Sequence, residues 1–243
     1  MVINYIVFCI CLCVVNLIQG ITGFGAIVLA LPVLIFFFPL KVLIPSLVAV
    51  NLVQSLYFSI RERKHLKPGP TKAIVFLSLA GLPVGYAIYK YLPAEELKLA
   101  LGVFVVIVAV YNLAGMEIKR QVPLAYYHFL NFLGGIAQGA LACGGPFLVI
   151  YAAKVLPNKS AFRASLSVAW ASLNIVLCLA YTVNGVWSME MVPLIGFAFP
   201  CIIFGTVLGI LLHSKIAEKP FKQLVFIILF ISGLVLLRPL LHI

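Results

Sequence analysis

Apolar residues run along this chain in blocks divided by short polar stretches: 2–18, 26–38, 42–60, 71–92, 97–115, 124–138, 146–156, 161–183, 190–212 and 221–241. Six of the ten blocks are about 20 residues, enough for a helix to cross a hydrocarbon core of about 30 Å. The other four are shorter and come as two pairs, 2–18 with 26–38 and 124–138 with 146–156, each interrupted by a Gly-rich stretch. At 1.5 Å per residue the 146–156 arm reaches about 16 Å, roughly half the membrane. The pattern predicts an all-α polytopic membrane protein in which two broken hairpins stand among six full crossings. No loop exceeds about a dozen residues, which leaves no room for an extramembrane catalytic domain.

Composition narrows the functional class. Hydrophobic residues make up 64% and charged residues 9% of the 243, against about 45–50% and about 25% in soluble domains. Mean hydropathy is +1.20. A soluble enzyme, a disordered chain and a secreted disulfide scaffold are excluded. Lys and Arg number 17 against six acids, all of them Glu, for a net charge of +11. These cations sit in short loops, where they set membrane orientation, so nucleic acid is not expected as a partner. All six cysteines lie in apolar segments without metal-ligand spacing. Five read as small buried hydrophobes, with Cys143 kept open for its position. No metal site and no cofactor are expected. The start, Met1-Val2-Ile3-Asn4, lacks a basic leader and a following cleavage site, so the first block reads as a retained membrane segment.

Loop charge orders the segments. Arg61, Arg63, Lys64, Lys67 and Lys72 place 61–72 inside, as do Lys119 with Arg120, Lys154 with Lys159 and Arg163, and Lys215 with Lys219 and Lys222. The stretch 184–189 has no Lys or Arg and should face out. Residues 120 and 159 then share a side, so 124–156 enters and leaves from within, while 2–38 enters and leaves from outside. Each half is one broken hairpin plus three crossings, and three being odd, the halves have opposite orientation. The expected division is 1–118 and 119–243, two inverted repeats forming one transport domain with both termini outside. A shift of 119 residues places Gln19-Gly20 on Gln138-Gly139, Gly25 on Gly144 and Ser46-Leu47 on Ser165-Leu166.

Inverted repeats with discontinuous helices are a secondary-transporter architecture. The two breaks read Asn16-Leu-Ile-Gln19-Gly20-Ile-Thr22-Gly23-Phe-Gly25 and Gly134-Gly135-Ile-Ala-Gln138-Gly139-Ala-Leu-Ala-Cys143-Gly144-Gly145-Pro146. Half-helices beginning near Ala26 and Pro146 would aim free N–H groups and their positive dipole ends at the tips, which favours an anion. Candidate contacts are Gln19, Gly20, Thr22, Gly23, Gly25, Gln138, Gly139, Cys143, Gly144 and Gly145. On the helices after the hairpins, Asn51, Trp170 and Asn174 join them, with Ser46, Gln54 and Ser165 beside these. Each has a plainer reading: glycines allow helices to pack closely, each Ser bonds its own helix carbonyl, and Trp170 and Cys143 fill space. No Asp, Glu, Lys or Arg falls clearly at the centre of a span, so a carboxylate proton relay is not expected; His128 lies toward the cytoplasmic end of its block. No P-loop, nucleophile elbow or zinc-protease motif is present, and the chain is not read as an enzyme.

The opening helix leading into Gln19-Gly20-Ile-Thr22-Gly23-Phe-Gly25, followed by Pro32, resembles the TauE/SafE family of sulfite exporter and organosulfonate permease-like membrane proteins. The second half, with Gly139, Gly144, Gly145 and Pro146 and later Gly205 and Gly209 before Lys215, is similar to the same family's repeat. It departs in carrying Ala142-Cys143 before Gly144. The resemblance covers the whole chain. It implies transport of small sulfur-containing anions such as sulfite, sulfoacetate or thiosulfate across a bacterial cytoplasmic membrane. The expected function is thus a secondary carrier for such anions. An anion channel and a non-transporting membrane subunit are the alternatives. The expected partners are the small anion and the lipid bilayer, with homo-oligomerisation left open.

Overall fold

The computed structural model describes residues 2–22, 25–115, 123–156, 158–212 and 218–238. Among the described residues ten α-helices follow one another: α1 (Val2–Thr22), α2 (Ala26–Leu34), α3 (Leu40–Arg61), α4 (Pro68–Tyr91), α5 (Ala94–Leu113), α6 (Leu124–Leu141), α7 (Gly145–Val155), α8 (Lys159–Val183), α9 (Met191–Leu212) and α10 (Glu218–Leu237). One 3-10 turn, Arg63–His65, lies between α3 and α4. Among the described residues five stretches are long and apolar enough to cross a membrane: Ile3–Gly20, Leu40–Arg61, Pro68–Tyr91, Ser160–Val183 and Met191–Gly209. The all-helical polytopic architecture is as the hydropathy pattern predicts.

The breaks fall later than their glycines suggest. Gly20 does not end α1, which runs on to Thr22 and at 21 residues is a full-length helix. Likewise α6 passes through Gly134, Gly135 and Gly139 to Leu141, 18 residues in all. A glycine inside a membrane helix loses no hydrogen bond, and its missing Cβ lets a neighbouring backbone approach. The true breaks are the few residues after each helix. Gly25 caps α2 with φ 100°, ψ 2°, a conformation open to glycine and strained for most L-residues. Ala142 ends α6 at φ 55°, its N–H donating to the Gln138 carbonyl (2.9 Å) while the Cys143 N–H reaches the Ala137 carbonyl (3.3 Å). That is a Schellman-type end with alanine where glycine is usual.

The helix bounds recur along the chain. The last residues of α1 and α6 (22 and 141), the caps of α2 and α7 (25 and 144), and the first residues of α3 and α8 (40 and 159) are each 119 positions apart.

The chain forms two compact units, each drawing on both halves of the sequence. The first comprises Met1–Leu43, Leu92–Gln121 and Phe197–Ile243. In it α2 folds back along α1, with Phe38 against Phe8 (5.6 Å between ring centroids) and Tyr5 (5.7 Å). The helices α1 and α9 run parallel in one register. Tyr5 meets Phe197 with the rings tilted (centroids 5.5 Å apart), a Cβ on Gly205 would lie 2.5 Å from the Cys13 carbonyl oxygen, and one on Gly209 would meet the Leu17 carbonyl. Gly20 completes this seam, its Cβ position 2.8 Å from the Thr206 carbonyl. Gly102 of α5 and Gly233 of α10 make a second close approach.

The second unit comprises Ile44–Tyr91 and Val122–Gly196. Here α4 and α6 run parallel, joined by two small-residue motifs. Cβ atoms on Gly81 and Gly85 would strike the carbonyls of Phe132 and Ile136, and those on Gly135 and Gly139 the carbonyls of Ser78 and Leu82. Helix α8 is parallel to α4: the Thr71 and Ser165 hydroxyls share a hydrogen bond (2.8 Å) near one end, and Lys90 Nζ donates to Asn184 Oδ1 (2.7 Å) near the other. Helix α7 returns along α6, its Leu148 against Gly134 and its Tyr151 ring 5.9 Å from His128. The α6–α7 hairpin thus opens at the end of the unit where α4 and α8 begin. The exposed Arg61, Arg63, Lys64, Lys67 and Lys154 gather there, with Arg163 over the Phe58 ring at 5.2 Å. Asn158 caps α8 there, its Oδ1 accepting from the N–H groups of Ser160 (2.9 Å) and Ala161 (3.3 Å).

Candidate functional site

Buried polar side chains are unevenly shared. Among the described residues the first unit buries Asn16 and Thr206, whereas the second buries ten: Ser46, Gln54, Ser55, Thr71, Ser78, Asn131, Gln138, Ser165, Ser167 and Asn174. In a chain this apolar, each such group must find a hydrogen bond or be penalised for lost solvation. Four of the sequence candidates meet at the centre of that group.

Gln138, in the last turn of α6, turns its Oε1 toward the N–H of Gly144 (3.1 Å), the cap residue of α7. Its Nε2 donates to Asn174 Oδ1 on α8 (2.9 Å), and Asn174 Nδ2 donates to Asn51 Oδ1 on α3 (2.8 Å). Asn51 Nδ2 reaches Gln54 Oε1 at 3.5 Å, the outer limit of such a bond. Gln138 and Asn174 are buried and Asn51 is half-buried.

The direction of this chain is forced. A backbone N–H can only donate, so Gly144 fixes Gln138 with its oxygen inward and its NH₂ outward. Asn174 must then accept with its oxygen and donate onward, and so must Asn51. The half-buried end of the chain, at Asn51, is therefore an amide NH₂, a donor. Asn51 lies midway along α3, and Trp170 and Asn174 in the middle of α8, so the chain sits at mid-depth of the unit. Trp170, half-buried, is 3.8 Å from the Cβ position of Gly145, the first residue of α7. The first-turn N–H groups of a helix have no partner within it, and the 11-residue α7 begins beside this indole. Pro146 in that first turn sacrifices no intrahelical bond. The arrangement offers neutral donors and a helix N-terminus to a small anion. Among the described residues no group of three or more His, Cys, Asp or Glu is placed to hold a metal.

The remaining candidates divide. Gly144 leaves room for the Gly134 carbonyl, and Gly139 for the Leu82 carbonyl; both make close packing. Cys143 is wholly buried in the turn between α6 and α7. Ser165 is bonded to Thr71, nine residues from Asn174 toward the basic end, and so is remote from the amide chain. Ser46 is buried on α3. In the first unit Gln19 is half-buried on the last turn of α1, with Oε1 enclosed and lacking a partner. Gly20 packs against α9, and a Cβ on Gly25 would meet open space. Thr22 is described by its backbone alone, and Gly23 lies outside the described residues. The same unit holds a cavity of about 320 Å³ lined by apolar residues such as Val14, Ile18, Leu29 and Pro32; it carries none of the candidates.

Asn131, Ser78 and Thr71 escaped the sequence reading. The available signal was spacing: Asn131 stands seven residues before Gln138, two helical turns on one face.

A family model described as Sulfite exporter TauE/SafE matches residues 8–236. No curated protein and no solved structure matches the chain.

Proposed function

We propose, from the premise that the chain belongs to the sulfite exporter TauE/SafE family, that it is a secondary carrier for small sulfur-containing anions. Membership makes it a membrane transporter of a sulfur-anion exporter family. The finer reading rests on one observation: the directed amide chain Gly144–Gln138–Asn174–Asn51, ending in a donor at mid-depth. Neutral amides suit an anion that must also leave. A buried Lys or Arg would bind it more tightly and carry its own desolvation penalty in the membrane.

In this proposal the anion is held by Asn51 Nδ2, the α7 N-terminus and the edge of the Trp170 ring. The halves of the chain are inverted repeats, a reading supported by the 119-residue recurrence of helix bounds. By the positive-inside bias the basic end of the second unit, with Arg63, Lys64 and Lys67, faces the cytoplasm. Gln19 is the counterpart of Gln138 in the 119-residue recurrence and is the candidate contact of the first unit. Alternating access proceeds by rocking of the two repeats around the anion.

The test is flux into proteoliposomes of purified protein, using labelled sulfite, thiosulfate, sulfate, sulfoacetate, taurine and acetate. Saturable uptake of one or two sulfur anions, abolished by Asn51→Leu, is the expected result. Uptake of acetate and sulfate with equal efficiency, or full uptake by N51L, overturns the reading.

A further inference from the structure

We propose that Asn131 lines an aqueous path joining the amide chain to the basic end of the second unit, and that the structure holds this path closed. The inference deepens the carrier reading and rests on it, since it supplies the route by which the anion reaches the site at the end of the amide chain.

Asn131 is 0% exposed, and neither its Oδ1 nor its Nδ2 has a hydrogen-bond partner. Its backbone carbonyl is served, accepting from the buried Ser78 Oγ at 3.1 Å; its amide is not. Buried side-chain amides are satisfied in the large majority of structures, and one with both ends bare calls for water or a ligand to explain it. A leucine would fill the position without any such penalty. The packing in this state therefore gives no reason for an asparagine.

Position supplies the reason. Asn131 and Gln138 lie on one stripe of α6, two turns and about 10 Å apart along the axis. Between their levels the Leu148 side chain of α7 occupies the space that a Cβ on Gly134 would take. On the far side of Asn131, nearer the basic end, comes the buried pair Thr71–Ser165: Thr71 Oγ1 donates its one proton to the Lys67 carbonyl at 2.6 Å and so accepts from the Ser165 hydroxyl at 2.8 Å. Polar groups thus stand at three successive levels, from Gln138–Asn174 through Ser78–Asn131 to Thr71–Ser165, and end beside Lys67 and Arg163. The upper and lower levels are hydrogen-bonded in the closed state. The Asn131 amide alone is left bare, so hydration is rewarded there. Opening the path wets that amide, which shifts the equilibrium toward the open state relative to an apolar residue in its place.

Labelling by a membrane-impermeant maleimide tests this without knowledge of the substrate. Asn131→Cys and Leu130→Cys are compared in sealed vesicles, the modified residue being located by mass spectrometry. Leu130 is the buried, apolar neighbour on the same turn. The expected result is that N131C reacts about tenfold or more faster than L130C, reporting a wet open state at one site alone. Equal rates overturn the proposal. Asn131→Leu carries the test if N131C fails to fold. N131L should melt no lower than wild type and transport more slowly. A lower melting temperature would show that the amide is structurally satisfied, and unchanged flux would show that the path runs elsewhere; each overturns the inference. Absence of flux in the wild type would defeat the carrier reading alone, leaving the labelling rates to decide whether Asn131 is wetted.

Discussion

Replacing Gln138 and Asn174 by leucine, singly and together, tests the amide chain through its non-additivity. Gln138→Leu leaves two buried groups unpaired, the Gly144 N–H and Asn174 Oδ1. Asn174→Leu also leaves two, Gln138 Nε2 and Asn51 Oδ1. An unpaired buried polar group costs about 1–3 kcal/mol, and leucine returns part of that through apolar burial, so each single variant should lose about 2–4 kcal/mol of unfolding free energy. The double variant removes both partners of the central bond. It orphans only the Gly144 N–H and Asn51 Oδ1, so it should lose about what one single variant loses rather than their sum. The coupling energy is then about 2–4 kcal/mol, well above the 0.5 kcal/mol or so that separates independent sites from interacting ones. The assay is reversible denaturation in mixed detergent micelles with helicity as the readout, repeated for all four proteins. Losses that add within about 0.5 kcal/mol would refute the chain, because two residues that do not share a bond have nothing to lose jointly.

Other substitutions probe the frame around it. Ala142→Gly should stabilise by about 1 kcal/mol, since Ala142 holds φ 55° at the end of α6, where a Cβ is strained; an unchanged or lower melting temperature would contradict that geometry. Gly135→Ala would press a methyl group into the Ser78 carbonyl and should destabilise by more than about 3 kcal/mol or prevent folding, while Gly196→Ala, with nothing nearby, should be silent; equal behaviour of the two in a thermal melt would sink the close-packed α4–α6 seam. Asn158→Ala should lower stability by about 1 kcal/mol through loss of the α8 cap, measured in the same micelles. Membrane-impermeant thiol reagents should reach Lys64→Cys from one side of the membrane and Gly185→Cys from the other, since these positions lie at opposite ends of α4 and α8; labelling of both from one side would overturn the orientation.

Much of this was legible in the chain. Hydropathy alone gives ten helices, because a membrane helix must satisfy its backbone internally and therefore appears as a long apolar block. The pairing of Gln19-Gly20 with Gln138-Gly139 anticipated that helix ends and caps would recur at the same spacing. Less legible was the use of each glycine. Gly20, Gly135 and Gly139 look like breaks in one dimension, but they serve as contact points for α9 and α4, helices far away in the sequence. The amides Gln138, Asn51 and Asn174 were readable as rare polar groups at mid-span. Their joining into one directed chain was not, since three helices had to meet and the polarity is set by a backbone N–H of the following helix. Ser165 was drawn away by Thr71, a residue unremarkable in sequence. Asn131 was passed over because nothing in a linear reading separates a bonded asparagine from a bare one.

The most direct measurement for the carrier account is counterflow in proteoliposomes: entry of labelled sulfite with unlabelled sulfite, or none, trapped inside. A carrier that turns over around a donor-ended mid-depth site should take up label several-fold faster with trapped substrate, and N51L should lose that stimulation while remaining folded. Label entering at the same rate whether or not sulfite is trapped inside would contradict the account and make the protein a conduit rather than a carrier.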